Sequence, residues 1–188
     1  MPNVTHEVRN SLADPARLFE LEDEGLSWLE NGTRKTRRYA DIAKVHLIAY
    51  PGEGGTRQMQ CTLHDRAGGK VKIRSHHYVS LANFEDRTAS YGAFMRTLMT
   101  RLATSGRDVK YLQGSNIMHM VWLVLFGLSI ILLAGLLFAL IGGAGGTWDF
   151  FVPMAGLALF LPVSWSMIGQ GWAGTFDPNN PPAEFLGE

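Results

Sequence analysis

A chain of 188 residues has room for one domain of about 100 residues and a membrane portion. Its 17 Lys and Arg balance its 17 Asp and Glu, yet every Lys and Arg lies at or before Lys110, together with 13 of the acids. The first part therefore carries +4 and the rest, with Asp149, Asp177, Glu184 and Glu188, carries −4. A single cysteine, Cys61, excludes an internal disulfide framework and a multi-cysteine metal site.

Residues 1–15 are polar, hold Pro2 and Pro15, and are expected to form a flexible lead-in. They lack the basic-then-apolar layout of a signal peptide. From Arg17 the pattern becomes one of short strands. RLFELE, the turn-like DEG and LSWLENG predict a hairpin, and TRKTRRY follows as a basic strand or loop. AKVHLIAY places Val45, Leu47 and Ala49 on one face, and Pro51, Gly52, Gly54 and Gly55 end it. The clearest hairpin is TRQMQCTLH–DRAGG–KVKIRSH. Met59, Cys61, Leu63, Val71 and Ile73 alternate there with polar residues, so a period of two turns the apolar set to a core and the polar set to water. Lys70, Lys72 and Arg74 then form a basic stripe on an outer sheet face.

Asn83 or Asp86 is a candidate cap for an amphipathic helix reaching Thr104. Its predicted inner face holds Phe84, Tyr91, Phe94, Met95, Leu98, Met99 and Leu102 at helical spacing. Ser105–Ser115 reads as a linker, which makes residues 16–115 one soluble unit.

Ile117–Ile141 is uncharged, interrupted only by His119 and Ser129, and exceeds the roughly 20 residues needed to cross a bilayer. The expected divisions are a first transmembrane helix at 116–141, a loop at 142–149, a second transmembrane helix at 150–170 and a tail at 171–188. The second apolar run carries Pro153 in its first turn and Pro162 inside, where a kink is expected. Trp148, Trp165 and Trp172 lie near its ends, as suits interfacial rings. The tail has three prolines and no period, and is expected to be extended or disordered. Arg101, Arg107 and Lys110 precede the first span, while the loop has no Lys or Arg. Positive charge is retained on the cytoplasmic side. The expected arrangement is thus a multi-pass membrane protein with the N-terminal domain and C-terminus cytoplasmic.

The stretch FELEDEGLSWLENGTRKTRRYADIAKVHL is similar to the opening of bacterial pleckstrin-homology-like (PH-like) domains. Those show a strand, a D-x-G-L turn, a strand ending in Gly and a Y-x-D-I-x-x-V lead-in to a third strand. The matching residues here are Asp23, Gly25, Leu26, Gly32, Tyr39, Asp41, Ile42 and Val45. Over residues 16–105 the resemblance implies an α+β fold. Its bent antiparallel β-sheet or barrel, of about seven strands, is capped by a C-terminal amphipathic helix. A two-helix transmembrane hairpin often follows in bacterial members, so the resemblance implies a multi-pass protein of the bacterial inner (cytoplasmic) membrane. The resemblance implies no activity, since this fold is a generic binding platform.

In lipid-binding members an early basic loop meets the membrane, which makes Arg34, Lys35, Arg37 and Arg38 candidate headgroup ligands, with Lys70, Lys72 and Arg74 beside them. The plainer alternative is cross-strand pairing with Glu20, Glu22, Asp23 and Glu24. Nucleic acid is not expected, because the basic residues lack the aromatic interleaving that base stacking uses. His76 and His77 are adjacent and point to opposite faces of a strand, and His46 and His64 lie apart, so no metal is expected. Cys61 falls on the inner face as a small apolar residue. GEGG at 52–55 fits a loop better than a nucleotide cradle. No cofactor and no catalytic residue is expected. Gly127, Gly135, Ala139 and Gly143 lie on one line of the first span and form a candidate helix-packing face, for the second span or for another copy. His119, at the cytoplasmic end, suits an interfacial role.

The sequence therefore reads as a non-enzymatic, membrane-anchored interaction or scaffold protein contacting anionic lipid. Its partners are the bilayer and a protein or second copy met through the transmembrane helices. Two alternatives are an accessory subunit of a larger membrane complex and a membrane enzyme with its site between domain and hairpin.

Overall fold

The computed structural model describes residues 4–51, 57–81, 83–105, 108–142, 147–170 and 173–187. Pro51 and Met118, with residues 147–150 and 169–170, are described by backbone alone. The fold is α+β, with two compact units. One combines Met1–Gln113 with Gly174–Glu188, and the other is Gly114–Ala173.

In the first unit, strands β1 (Thr5–Val8), β2 (Arg17–Leu21), β3 (Gly25–Glu30) and β4 (Thr33–Arg38) form an antiparallel sheet in that order. β3 and β4 are joined at Asn31 and Gly32, with φ of 51° and 74°. Two successive positive φ values match the right-handed strand twist, and Asn-Gly is the pair that tolerates them best. A second sheet takes β5 (Ile42–Pro51), β6 (Arg57–Asp65), β7 (Lys70–Arg74), β10 (Lys110–Gln113) and β11 (Gly174–Thr175) in the order β11-β10-β5-β6-β7. β8 (His76–Ser80) and β9 (Asn83–Asp86) pair only with each other. Helix α1 (Thr88–Thr104) follows β9, and its Tyr91, Phe94, Met95, Leu98, Met99 and Leu102 are fully buried. They meet Val8, Phe19, Leu21, Val45, Leu47, Cys61 and Ile73 in one core.

The structure differs from the sequence reading in five places. The lead-in is ordered: β1 pairs with β2, and its alternation buries His6 and Val8 while Thr5 and Glu7 face out. Phe84 belongs to β9, where it packs edge-on against Tyr78, because Asp86 turns the chain and its Oδ1 accepts the Thr88 N–H at 2.8 Å. The linker contains β10, which pairs with β5 in parallel, so the second sheet is not wholly antiparallel. The sheets do not close into a barrel. The tail is part of the core: Phe176 packs edge-on against Tyr111, with ring centroids 5.6 Å apart, and Phe185 and Leu186 are buried. Gly92 makes room for it, since a Cβ there would stand 2.6 Å from the Leu186 carbonyl oxygen.

The β6–β7 hairpin is as its alternation predicts, with Cys61 opposite Ile73 and Leu63 opposite Val71. Its outer residues are less wet than a bare alternation implies. Gln60 and Thr62 are buried, flanked by Ile48, Arg74, His46 and Lys72 on the neighbouring strands. The glycines at 52, 54 and 55 lie outside the described residues.

The second unit is a pair of helices, α2 (Asn116–Ile141) and α3 (Thr147–Gln170). Both are long and apolar enough to cross a membrane, over His119–Ile141 and Phe151–Ile168. Of their apolar windows only 6% and 11% is buried, unlike the core helix of a soluble domain. The helices pack on each other: Trp122 packs on Phe160, Phe126 packs on Trp165, and the His119 ring lies 3.1 Å from the Ile168 carbonyl oxygen through Nδ1. Trp122, Phe126, Ser129, Leu133, Leu136 and Leu140 are among the covered positions, a three-four spacing that keeps one seam towards the partner helix. Ser129 and Ser164 are buried and give their hydroxyls to the Leu125 and Leu161 carbonyls of their own helices.

Candidate functional site

The densest basic run, on β4, is engaged by acids. Arg34 reaches Glu20 at 2.8 Å and Glu22 at 2.5 Å, Lys35 pairs with Glu30, Arg37 meets Asp65 at 2.6 Å and Arg38 meets Asp41 at 3.1 Å. Antiparallel pairing contributes to this: Glu20, Ser27 and Thr36 form one row across β2, β3 and β4, so Glu20 and Arg34 share a face, while Lys35 lies on the other face with Glu30. Hydrogen bonds hold the Glu22 and Glu30 carboxyls below the usual range, Glu22 through Ser27 and then Arg34, Glu30 chiefly through Lys35. Asp23 and Glu24 instead line an open cleft of about 510 Å³ with Arg38, Tyr39 and Arg101. Its charges are mixed in sign.

The second basic group sits differently. Register places Lys110 beside Lys44, Lys44 opposite His64 and His64 opposite Lys70, one row across four strands. The next row runs from Leu112 through His46 and Thr62 to Lys72, and the row after that joins Ile48, Gln60 and Arg74. The opposite face is the core side, where Val45, Leu47, Cys61, Leu63, Val71 and Ile73 are buried. The outer face of β10-β5-β6-β7 thus carries Lys44, Lys70, Lys72, Arg74 and Lys110, with His46 and His64 between them. β5, β7, β10 and β11 contain no Asp or Glu, and the acid of β6, Asp65, is bound to Arg37 and to the Gly69 N–H. Arg74 donates to the Gln60 side-chain oxygen at 2.9 Å and the Asn10 carbonyl at 2.8 Å, both neutral. Burial pushes the His64 ring below its ordinary value, and Lys44, Lys70 and His46 push it further the same way. The stripe Lys70, Lys72, Arg74 was visible in the sequence. Lys44 and Lys110 were not, since their places depend on pairing between distant strands.

Ser75, His76 and Asp86 come together in an order that invites a catalytic reading. The Ser75 hydroxyl lies 2.8 Å from His76 Nδ1, and His76 Nε2 lies 3.9 Å from Asp86. Ser75, however, is fully buried and accepts the Met59 N–H at 2.9 Å, so no substrate carbonyl can reach it. The arrangement locks the β7–β8 corner. Cys61 is equally enclosed, and burial raises its thiol far above the ordinary value, against any nucleophilic role. Among the described residues no group of three His, Cys, Asp or Glu side chains is placed to hold a metal ion.

In the helical unit, Gly127 is half-buried and Gly135 exposed, and a Cβ at either would meet nothing within 4 Å. Helix α3 therefore seats on the Trp122–Phe126–Ser129 seam and not on these glycines. Ala139 is half-buried, and Gly143 lies outside the described residues. No protein-family model matches the chain, and neither a curated protein nor a solved structure matches it.

Proposed function

We propose that this protein is a non-catalytic, membrane-anchored interaction platform, in which a PH-like domain is tethered to the bilayer by a transmembrane hairpin. One observation carries the reading: Gln113 and Gly174 are direct partners in the β10–β11 ladder. The chain leaves the first unit at one strand and returns at its neighbour, with both apolar helices in between. A chain whose exit and return are fastened together lies on one side of a membrane, so α2 and α3 cross as a pair. The positive charge before α2 favours the cytoplasm as that side. The PH-like assignment draws on the short-strand order ending in α1 and on Asp23, Gly25, Leu26 and the Tyr39–Val45 lead-in. The parallel β10 and the returning β11 are departures from that pattern.

The test is cysteine accessibility in a Cys61→Ser background. Leu12→Cys and Asn180→Cys react with an impermeant maleimide only from the cytoplasmic side, and Gly142→Cys only from the opposite side. Labelling of positions 12 and 180 from different sides rejects the hairpin.

A second reading, an accessory subunit of a larger membrane complex, is favoured by the open space beside Gly127 and Gly135, where a Cβ would meet nothing within 4 Å. It predicts a stoichiometric protein partner retained through purification in mild detergent.

A further inference from the structure

The sheet formed by β10, β5, β6 and β7 presents five cations on a face to which its strands contribute no carboxylate. Adjacent strands lie about 4.8 Å apart, so the row Lys110–Lys44–His64–Lys70 packs three ammonium groups and an imidazole into about 14 Å. Like charges directly beside one another across strands are destabilising. On β4 every cation of the run 34–38 has an acid to offset this. On the outer face of the second sheet, Lys44, Lys70, Lys72 and Lys110 have no ion-pair partner among the described residues. Lys70, Lys72 and Lys110 are exposed, and Lys44 is half-buried. A surface that bears this repulsion without internal relief is complementary to an extended array of anions.

Two features select the array. The cationic face spans four strands, unlike a pocket for one small anion. β10, which carries Lys110, is separated from the apolar helix α2 by only Gly114 and Ser115. We propose that this face is the surface through which the protein engages anionic lipid headgroups, with Lys44, Lys70, Lys72, Arg74 and Lys110 as the contacts; this rests on the membrane-anchored reading above. The β4 run takes no part, since its charges are already spent on Glu20, Glu22, Glu30, Asp65 and Asp41. The outer face also differs from the one that the resemblance to PH-like domains suggested, where an early basic loop is the lipid contact.

Lysine footprinting of the full chain in nanodiscs tests this. Discs of phosphatidylcholine alone are compared with discs that include phosphatidylglycerol, and brief acetylation is read by mass spectrometry. Acetylation of Lys44, Lys70, Lys72 and Lys110 is expected to slow by about threefold or more in the anionic discs, because each such charge is drawn to an anionic surface. Lys35, held by Glu30, keeps its rate, and about 1 M salt abolishes the difference by screening. Equal rates in the two discs for a chain that has incorporated into both overturn the proposal while leaving the anchoring intact. A chain that elutes apart from both kinds of disc overturns the anchoring and the proposal together. Protection of the same lysines by heparin in neutral discs, without protection by anionic lipid, reassigns the face to a soluble polyanion and overturns the lipid assignment.

Discussion

Arg37 and Asp65 tie the two main sheets together. The guanidinium, on β4 of the first sheet, lies 2.6 Å from a carboxylate at the end of β6 whose side chain is 5% exposed. The second Asp65 oxygen accepts the Gly69 N–H at 2.7 Å and so closes the β6–β7 turn. Asp65 thus joins a turn and an inter-sheet contact in one residue, inside the Y-x-D-I region's neighbourhood rather than in it.

Asp65→Ala leaves Arg37 without its anion and the Gly69 N–H without its acceptor. Removing one partner of a fully buried pair costs about 3–5 kcal/mol. Arg37 is one-third exposed and the contact is not aligned as a hydrogen bond, so about 2 kcal/mol is the expected loss. Denaturant unfolding of the purified protein in detergent measures it. In a double-mutant cycle, Arg37→Ala in the Asp65→Ala background should add little.

His6 makes stability depend on pH. Its ring is 1% exposed, with Nε2–H donating to the Arg74 carbonyl at 2.8 Å and Nδ1 3.0 Å from the Ser90 hydroxyl. Burial is the main cause holding its pKa below the ordinary 6.5, with Arg87 and His77 acting in the same direction and the Arg74 carbonyl and Glu7 opposing. The unfolded chain then binds a proton more readily than the folded one. The His6 contribution is present in full above about pH 6.5 and is lost as pH falls from there through the lowered folded value. Melting temperature against pH should drop across that window, and His6→Gln should flatten the drop. An unchanged slope would show that other groups, such as His64, cause it.

What was legible in the sequence follows from period and length. The β6–β7 hairpin alternates cleanly, the α1 face repeats at helical spacing, and the two apolar runs are long. All three need only local pattern, and the structure contains all three. What was hidden depends on distant pairing. β10 is four residues joined in parallel to β5, and β11 is two residues whose partner lies beyond both apolar helices. Phe176, Phe185 and Leu186 sit among prolines without any repeat, so their fit into the core leaves no signature. The candidate surface behaved likewise. Arg34–Arg38 stands out as a run although its charges are matched across strands, whereas Lys44, Lys70 and Lys110 come together only through register.

The docked tail makes Gly92 sensitive to the smallest change. An alanine is normally favoured over glycine within a helix by about 1 kcal/mol. Here the added methyl would stand 2.6 Å from the Leu186 carbonyl oxygen, backbone that cannot swing aside. Gly92→Ala is therefore expected to release the tail, exposing Phe185 and Leu186, which are 2% and 3% exposed when docked. Limited proteolysis should cut the segment after Phe176 in the variant and spare it in the parent. Leu186→Ala should destabilise by about 2–4 kcal/mol as a buried large-to-small change, with the same proteolytic signature. A tail equally resistant in parent and variants would show that Gly92 and Leu186 do not hold it.

Cys61 offers a probe that requires no substitution. It is fully buried on β6 between Met59 and Leu63 and opposite Ile73, and burial drives its thiol well above the ordinary cysteine value. Thiol reagents attack the thiolate, so both access and ionisation are withheld in the folded state. Labelling with iodoacetamide near neutral pH should proceed only through opening of the β5–β6–β7 core, at a rate set by the population of that open form. Val71→Ala, which thins the core beside Leu63, is expected to speed the labelling together with its loss of stability. Rapid labelling of the untreated native protein would show that Cys61 is reachable without such opening.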